Sequence, residues 1–270
     1  MRNKFELAAR RALHWARARV PLKSTNKHPS SDHPSTTRPL PPTLPHRAKW
    51  ERWQDALAWL DRFQGAHPDI GGKYYKSAEE VCSDAELLLH FGLTWRSWGA
   101  SLFGYTPARA GNCVHLSILA FMYVYKKVGI REVDLVGLGG GGDHVFAVVG
   151  QTTRPVLGTD TYPYSGQERS VMLYPKSFDD WDESAWICDP WANIACSARK
   201  YREAWSEKMI DWSAKGRHVV YQNVINPCDP AGPFGIDVVA RYKKISLMPT
   251  GARHKGGAQL TLAVHLDEEK

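Results

Sequence analysis

A cysteine, a histidine and an aspartate, in that chain order, stand in local settings where a thiol can serve as a nucleophile. Cys113 follows Gly111-Asn112 and opens an apolar run from Val114 to Val124 that reads as a buried helix. Asn112 suits the N-cap, which points the thiol at backbone N–H groups and the positive end of the helix dipole. That dipole is worth about 0.3–1 kcal/mol, less than one pKa unit, so a histidine must come to the thiol before a thiolate dominates at neutral pH. His144 meets that need: in GGGGDHVFAVVG it begins an apolar strand directly after four glycines, where another backbone or a substrate can approach closely. Asp189 ends the strand of SAWICDPWAN, where a carboxylate can accept a hydrogen bond from the second ring nitrogen and fix the tautomer. Taken singly, each has a plainer explanation: a small hydrophobe at a helix start, a histidine beginning a strand, an Asp-Pro strand terminator.

The three pieces GNCVHLSILAFMYVYKKVGI, DHVFAVVG and SAWICDPWAN, in this order, resemble the transglutaminase-like superfamily of papain-like cysteine enzymes. The resemblance covers roughly residues 105–195. It implies an α+β fold with N-terminal helices and a buried Cys-bearing helix packed on a mostly antiparallel sheet. It implies Cys113 as nucleophile, His144 as base and Asp189 as the residue that orients the base. It further implies attack on an amide of a protein substrate and a thioester that water or an amine resolves, as in a protease, a deamidase or a transglutaminase. The oxyanion is then expected at the Cys113 backbone N–H and one more donor, with Trp95 and Trp98 as candidates. The sequence departs from the family in spacing, because 45 residues separate His144 from Asp189. An inserted excursion over Thr152–Ser184 accounts for the length; should it displace the strand, Asp160 or Asp143 would replace Asp189. The rival reading is a catalytically inactive transglutaminase-like domain that binds other proteins. His115 is expected to face away from the nucleophile, and Cys82 and Cys188 to be core thiols.

These residues need elements to hold them. Trp50, Trp53, Leu57 and Leu60 recur at helical spacing, with Gly65 and Pro68 after them. Ser77 and Glu80 have capping-box spacing, ahead of an apolar face of Val81, Cys82, Ala85, Leu88 and Leu89. The Cys113 helix should stop near Lys126-Lys127 and finish at Gly129. Strands are expected at Val133–Gly137, Val145–Gly150, Val171–Tyr174, Ala185–Cys188, Val219–Val224, Ile236–Tyr242 and Leu260–Leu266. Ala198–Ser213 reads as a helix with Tyr201, Trp205 and Ile210 inward. Helices followed by mostly consecutive strands indicate an antiparallel α+β domain.

Composition bounds the remaining readings. The chain has 270 residues, 43% of them hydrophobic, enough for one well-buried domain. Its net charge of +7 is concentrated in residues 1–49, which hold eleven Lys/Arg against two acids, so the rest is nearly neutral. A basic tail on a neutral body is not a basic groove, so neither nucleic acid nor membrane is a firm partner. Binding of nucleic acid through that tail would show steep salt dependence. Residues 3–19 can form a short helix, and seven prolines between Pro21 and Pro45 mark a linker. Residues 1–49 are therefore expected to be a disordered tail, or a segment read by an import or export machinery as in bacterial effectors. The domain is expected to begin at residue 50 and run to 270. Removing the tail should then leave thermal unfolding nearly unchanged. No secretory signal and no apolar run of bilayer length is evident, which points to a soluble protein. Five cysteines without a CxxC pair argue against a disulfide framework. Cys188 and Cys196 lack the histidines of a zinc site, and no metal or other cofactor is expected.

Overall fold

The helix that carries Cys113 forms where its sequence predicts it, and the rest of the molecule is arranged around it. The computed structural model describes residues 3–20, 27–28, 44–70, 75, 77–94, 109–138, 144–152, 156–161, 168–175, 177–215, 217–221, 224–228, 230 and 244–247. Within these, the chain order is α1 (Lys4–Ala18), β1 (Lys27–His28), α2 (Leu44–Ala66), α3 (Ala78–Thr94), α4 (Cys113–Met122), β2 (Val133–Leu138), β3 (His144–Val149), β4 (Val156–Thr161) and β5 (Glu168–Pro175). It continues with β6 (Trp186–Asp189), β7 (Ile194–Ser197), α5 (Tyr201–Ala214), β8 (His218–Tyr221), β9 (Val224–Pro227) and β10 (Lys244–Leu247). The class is α+β. The strands expected over Ile236–Tyr242 and Leu260–Leu266 lie outside the described residues.

A four-stranded antiparallel sheet in the order β2-β3-β6-β7 is the platform of the molecule. Every residue of β3 is buried, so both faces of that strand are covered. Helix α4 lies against it, tied by the Ser117 hydroxyl, which donates to the Val145 carbonyl at 2.8 Å. All ten residues of α4 are buried, as an all-round apolar helix requires. The helix loosens into a π turn over Tyr123–Val128 and ends at Gly129 in the left-handed conformation, φ 78°. Phe146 packs on Phe178 and Tyr201, so the start of α5 and the short helical turn before β6 contribute to the cover of β3.

The excursion between β3 and β6 builds its own structure instead of displacing a strand. β4 and β5 pair as an antiparallel hairpin, and β10 joins β5 to complete a second sheet, order β10-β5-β4. That sheet adjoins β2, where the Tyr174 hydroxyl donates to Asp134 Oδ2 at 2.6 Å. With the hairpin looped out, β3 and β6 pair directly, Ala147 opposite Cys188.

Three expectations need correction. Residues 4–20 are not part of a disordered tail, because α1 packs on α4, β6 and β7 and buries Ala8, Ala9, Ala12, Leu13, Ala16 and Val20. The short helix expected over residues 3–19 forms, but the basic, acid-poor segment that carries it is docked by its alanine face, with Arg10 and Arg11 outward. Phe5 lies against Gly150, which has φ 82° and no room for a Cβ: one built there would sit 2.4 Å from the ring. In α5, Ile210 is 55% exposed, whereas Met209 and Trp212 are buried with Tyr201 and Trp205. Nine residues beyond Tyr201 is about 180° around a helix, so Ile210 falls on the opposite face. In α2 the buried stripe is Ala56, Trp59, Leu60 and Phe63, while Trp53 and Leu57 are half-buried. The helix also begins before residue 50, at Leu44. Ser77 caps α3 as its spacing predicts, accepting from the Glu80 N–H at 3.1 Å. No helix among the described residues is long and apolar enough to cross a membrane.

Candidate active site

Cys113 is the first residue of α4, and the cap ahead of it fixes its backbone. The Asn112 side chain accepts from the Val114 N–H at 3.1 Å and the His115 N–H at 3.4 Å, and the Asn112 carbonyl accepts from Leu116 at 3.2 Å. His115 closes the cap from the other side, its Nδ1 lying 2.7 Å from Asn112 Oδ1 and 3.3 Å from the Asn112 nitrogen. One ring nitrogen cannot donate to the oxygen and accept from the N–H at once. The shorter contact fits a neutral ring with its proton on Nδ1, donated to the oxygen. Gly111 makes room for this: a Cβ at that position would sit 2.6 Å from His115 Cβ. His115 is thus a cap residue, fully buried against Phe63, and not part of the thiol chemistry.

Burial alone pushes the His115 pKa down to about 4. The unfolded chain, with its histidine near 6.5, therefore takes up this proton first as pH falls. Stability should be lost from about pH 6.5 down to about pH 4, by on the order of 3 kcal/mol. His115→Gln, which keeps a donor for Asn112, should be flatter than the wild type across that window in urea unfolding. Parallel losses in both proteins would show that His115 is not held neutral.

His144 and Asp189 meet by strand geometry. With Ala147 opposite Cys188, the register places Phe146 opposite Asp189 and His144 two residues further on the same face of the sheet. His144 Nε2 stands 2.8 Å from Asp189 Oδ2, both side chains being buried. Asp189 also accepts from the Ala192 N–H at Oδ1, 2.9 Å, and from the Tyr201 hydroxyl at Oδ2, 2.9 Å. Its charge is therefore met by three donors inside the protein. Burial favours the protonated acid, but His144 and these hydrogen bonds outweigh it and hold the carboxyl below its ordinary value. The four-residue turn from β6 to β7 supplies the Ala192 donor, and its last residue, Asn193, takes the left-handed φ of 63° that asparagine tolerates.

Asp189 occupies Nε2, which leaves Nδ1 of His144 for the thiol. Burial pushes the imidazole pKa down, yet the charge of Asp189, the hydrogen bond to it and the proximity of Cys113 carry it up to about 9. The ring packs against the stacked pair Trp191, centroids 5.0 Å from it, and Trp205, 4.8 Å from it, whose π-systems suit a cation. At neutral pH the site therefore holds an imidazolium beside a thiol, the arrangement that activates a cysteine.

The chain matches no protein-family model, no curated protein and no solved structure. His144 and Asp189 are hydrogen-bonded, and Cys113 lies close enough to His144 to act on its charge. Asp160 stands on β4 in the other sheet, in register opposite Arg169 of β5. Asp143, Trp95 and Trp98 lie outside the described residues. The five cysteines are not joined in disulfides, and burial raises the pKa of Cys82 to about 11, of Cys196 to about 12, and of Cys188 well above its ordinary value. Among the described residues no three His, Cys, Asp or Glu side chains cluster to hold a metal ion. The sequence reading counted Tyr201 only as an inward helix residue and missed its bond to Asp189. The signal was present, since a buried phenol needs a partner and a buried carboxylate can provide one.

Proposed function

We propose that this chain is a cysteine-dependent hydrolase or acyl-transferase of transglutaminase-like, papain-like type, acting on amide bonds of a protein. The observation that carries the reading is His144, held on one side by Asp189 at 2.8 Å and raised to a pKa of about 9 with Cys113 at its other side. The Cys113 thiolate attacks the amide carbonyl, forming a C–S bond and moving the carbonyl electrons onto oxygen. The Cys113 N–H and a second donor meet that oxyanion. As the intermediate collapses the C–N bond breaks, and the imidazolium gives its proton to the leaving nitrogen. Neutral His144 then removes a proton from water or an amine, which attacks the thioester and expels the Cys113 sulfur as thiolate. Water as acceptor makes the enzyme a protease or deamidase; a lysine amine makes it a transglutaminase.

The test needs no substrate. Cys113 should be the thiol alkylated fastest by iodoacetamide, still reacting at pH 6, with Cys82, Cys188 and Cys196 slow because burial keeps them protonated. Peptide mapping that finds Cys196 or Cys228 labelled first and Cys113 untouched would sink the nucleophile assignment. The domain would then be read as a protein-binding module.

A further inference from the structure

The described turn between β6 and β7 is held from a distant part of the chain. In the last turn of α1, the half-buried Arg17 guanidinium donates from Nη1 to the Pro190 carbonyl at 2.8 Å, across 173 residues of sequence. Pro190 begins the turn whose third residue, Ala192, supplies the N–H to Asp189 Oδ1. That carbonyl and that N–H belong to adjacent peptide units joined at Trp191, so fixing the one constrains the direction of the other. We infer that Arg17 is a positioning residue for the triad, acting through the 190–193 turn to aim Asp189 at His144; the inference rests on the catalytic reading of Cys113, His144 and Asp189.

Charge and packing agree with this placement. Burial disfavours the guanidinium most, Arg217 adds to that, and the charge of Asp189 opposes both. A cation kept where burial and a like charge disfavour it is one whose hydrogen bond matters. Arg17 is also not what docks α1. The helix is held by its buried alanines, by Phe5 on Gly150, and by Arg10, whose guanidinium lies 5.5 Å from the centre of the Trp186 ring at the start of β6. Loss of Arg17 should therefore release the turn without releasing the helix.

The experiment follows iodoacetamide alkylation of Cys113 by mass spectrometry from pH 4 to pH 9 in the full chain, with thermal unfolding by circular dichroism. Arg17→Met should cut labelling at pH 6 roughly tenfold and move the profile to higher pH, because a loosened Asp189 supports the imidazolium less well. Arg17→Lys, which keeps a charged donor, should recover at least part of the loss. Arg10→Ala should lower the melting temperature and leave the profile in place. An Arg17→Met profile matching the wild type, no recovery by Arg17→Lys, or an equal shift in Arg10→Ala overturns the inference. Should Arg17→Met not fold, the Arg17→Lys variant decides, with a profile within about threefold of the wild type expected. A wild type with no labelling below neutral pH refutes the triad itself and takes the inference with it, a result distinct from failure of Arg17 alone.

Discussion

Asp189→Asn should fold and lose turnover by on the order of ten- to a thousand-fold, while Cys113→Ala and His144→Ala should each abolish it. Asparagine keeps the size but not the pattern of acceptors. Oδ1 accepts from the Ala192 N–H, and Oδ2 is shared by His144 Nε2 and the Tyr201 hydroxyl. An amide supplies one oxygen. Either its NH2 faces the Ala192 donor, or it faces the imidazole and the phenol. The first arrangement leaves a buried donor unmet, costing about 1–3 kcal/mol of stability. The second reverses the bond to His144, so that Nε2 becomes an acceptor and the ring sits in the wrong tautomer. In both, the charge that does most to raise the His144 pKa is gone, and burial pulls that pKa down against Cys113 alone. The imidazolium beside Cys113 is then lost at neutral pH. A thiol is more acidic than a hydroxyl and leans less on its base, so the loss should be smaller than the roughly 10⁴-fold known for a serine triad. Turnover of an amide substrate, with circular dichroism as the folding control, measures this. Because the residues act as a unit, changing all three should be hardly worse than changing Cys113 or His144 alone. A folded Asp189→Asn protein with full activity would remove Asp189 from the triad.

What was legible in the sequence was local. Asn112 before an apolar run announces a capped helix, and HVFAVV after a run of glycines announces a strand start. Asp-Pro announces a strand end. Each signal is decided within a few residues by backbone chemistry, and each fell where the structure has it. Pairing was not legible. Nothing within Thr152–Ser184 says whether an excursion displaces a strand or folds into a hairpin of its own; the register of β3 with β6 decides that, and register is a tertiary property. The contacts that tune the site were hidden for the same reason. Tyr201, Trp191 and Trp205 reach Asp189 and His144 only once α5 and the 190–193 turn are folded onto the sheet. The largest misreading, a tail in place of α1, came from taking composition for environment. Five arginines and five alanines within residues 1–19 look like a solvated or targeting segment until a partner surface is known.

That misreading turns the expected result of an N-terminal deletion around. Removing residues 1–20 should abolish cooperative unfolding or lower the melting temperature by on the order of 20 °C. The helix buries Ala8, Ala9, Ala12, Leu13 and Ala16, and Val20 follows them into the core. Burial of Leu13 and Val20 alone is worth about 1.5–3 kcal/mol each, and four alanine-sized contacts and Phe5 add to it. The sum is a large part of the roughly 5–15 kcal/mol that typically separates folded from unfolded domains. Further ties would go as well. Trp15 packs on Tyr123, centroids 5.3 Å apart, beneath the Arg19 guanidinium, and the buried Arg109 reaches from the Leu89 carbonyl to that of Arg19. The deletion also uncovers α4, which is apolar nearly all round and has no polar face to offer water. The truncated chain should therefore aggregate before any effect on the chemistry of Cys113 can be read. Leu13→Asp in the full chain makes the same point with a single residue, placing a charge in the α1–core contact while leaving the composition of the segment almost unchanged. Differential scanning calorimetry of the wild type, the deletion and Leu13→Asp is the measurement. A deletion that melts within a few degrees of the wild type would show that α1 contributes little to the fold, and residues 1–20 would return to being a dispensable tail.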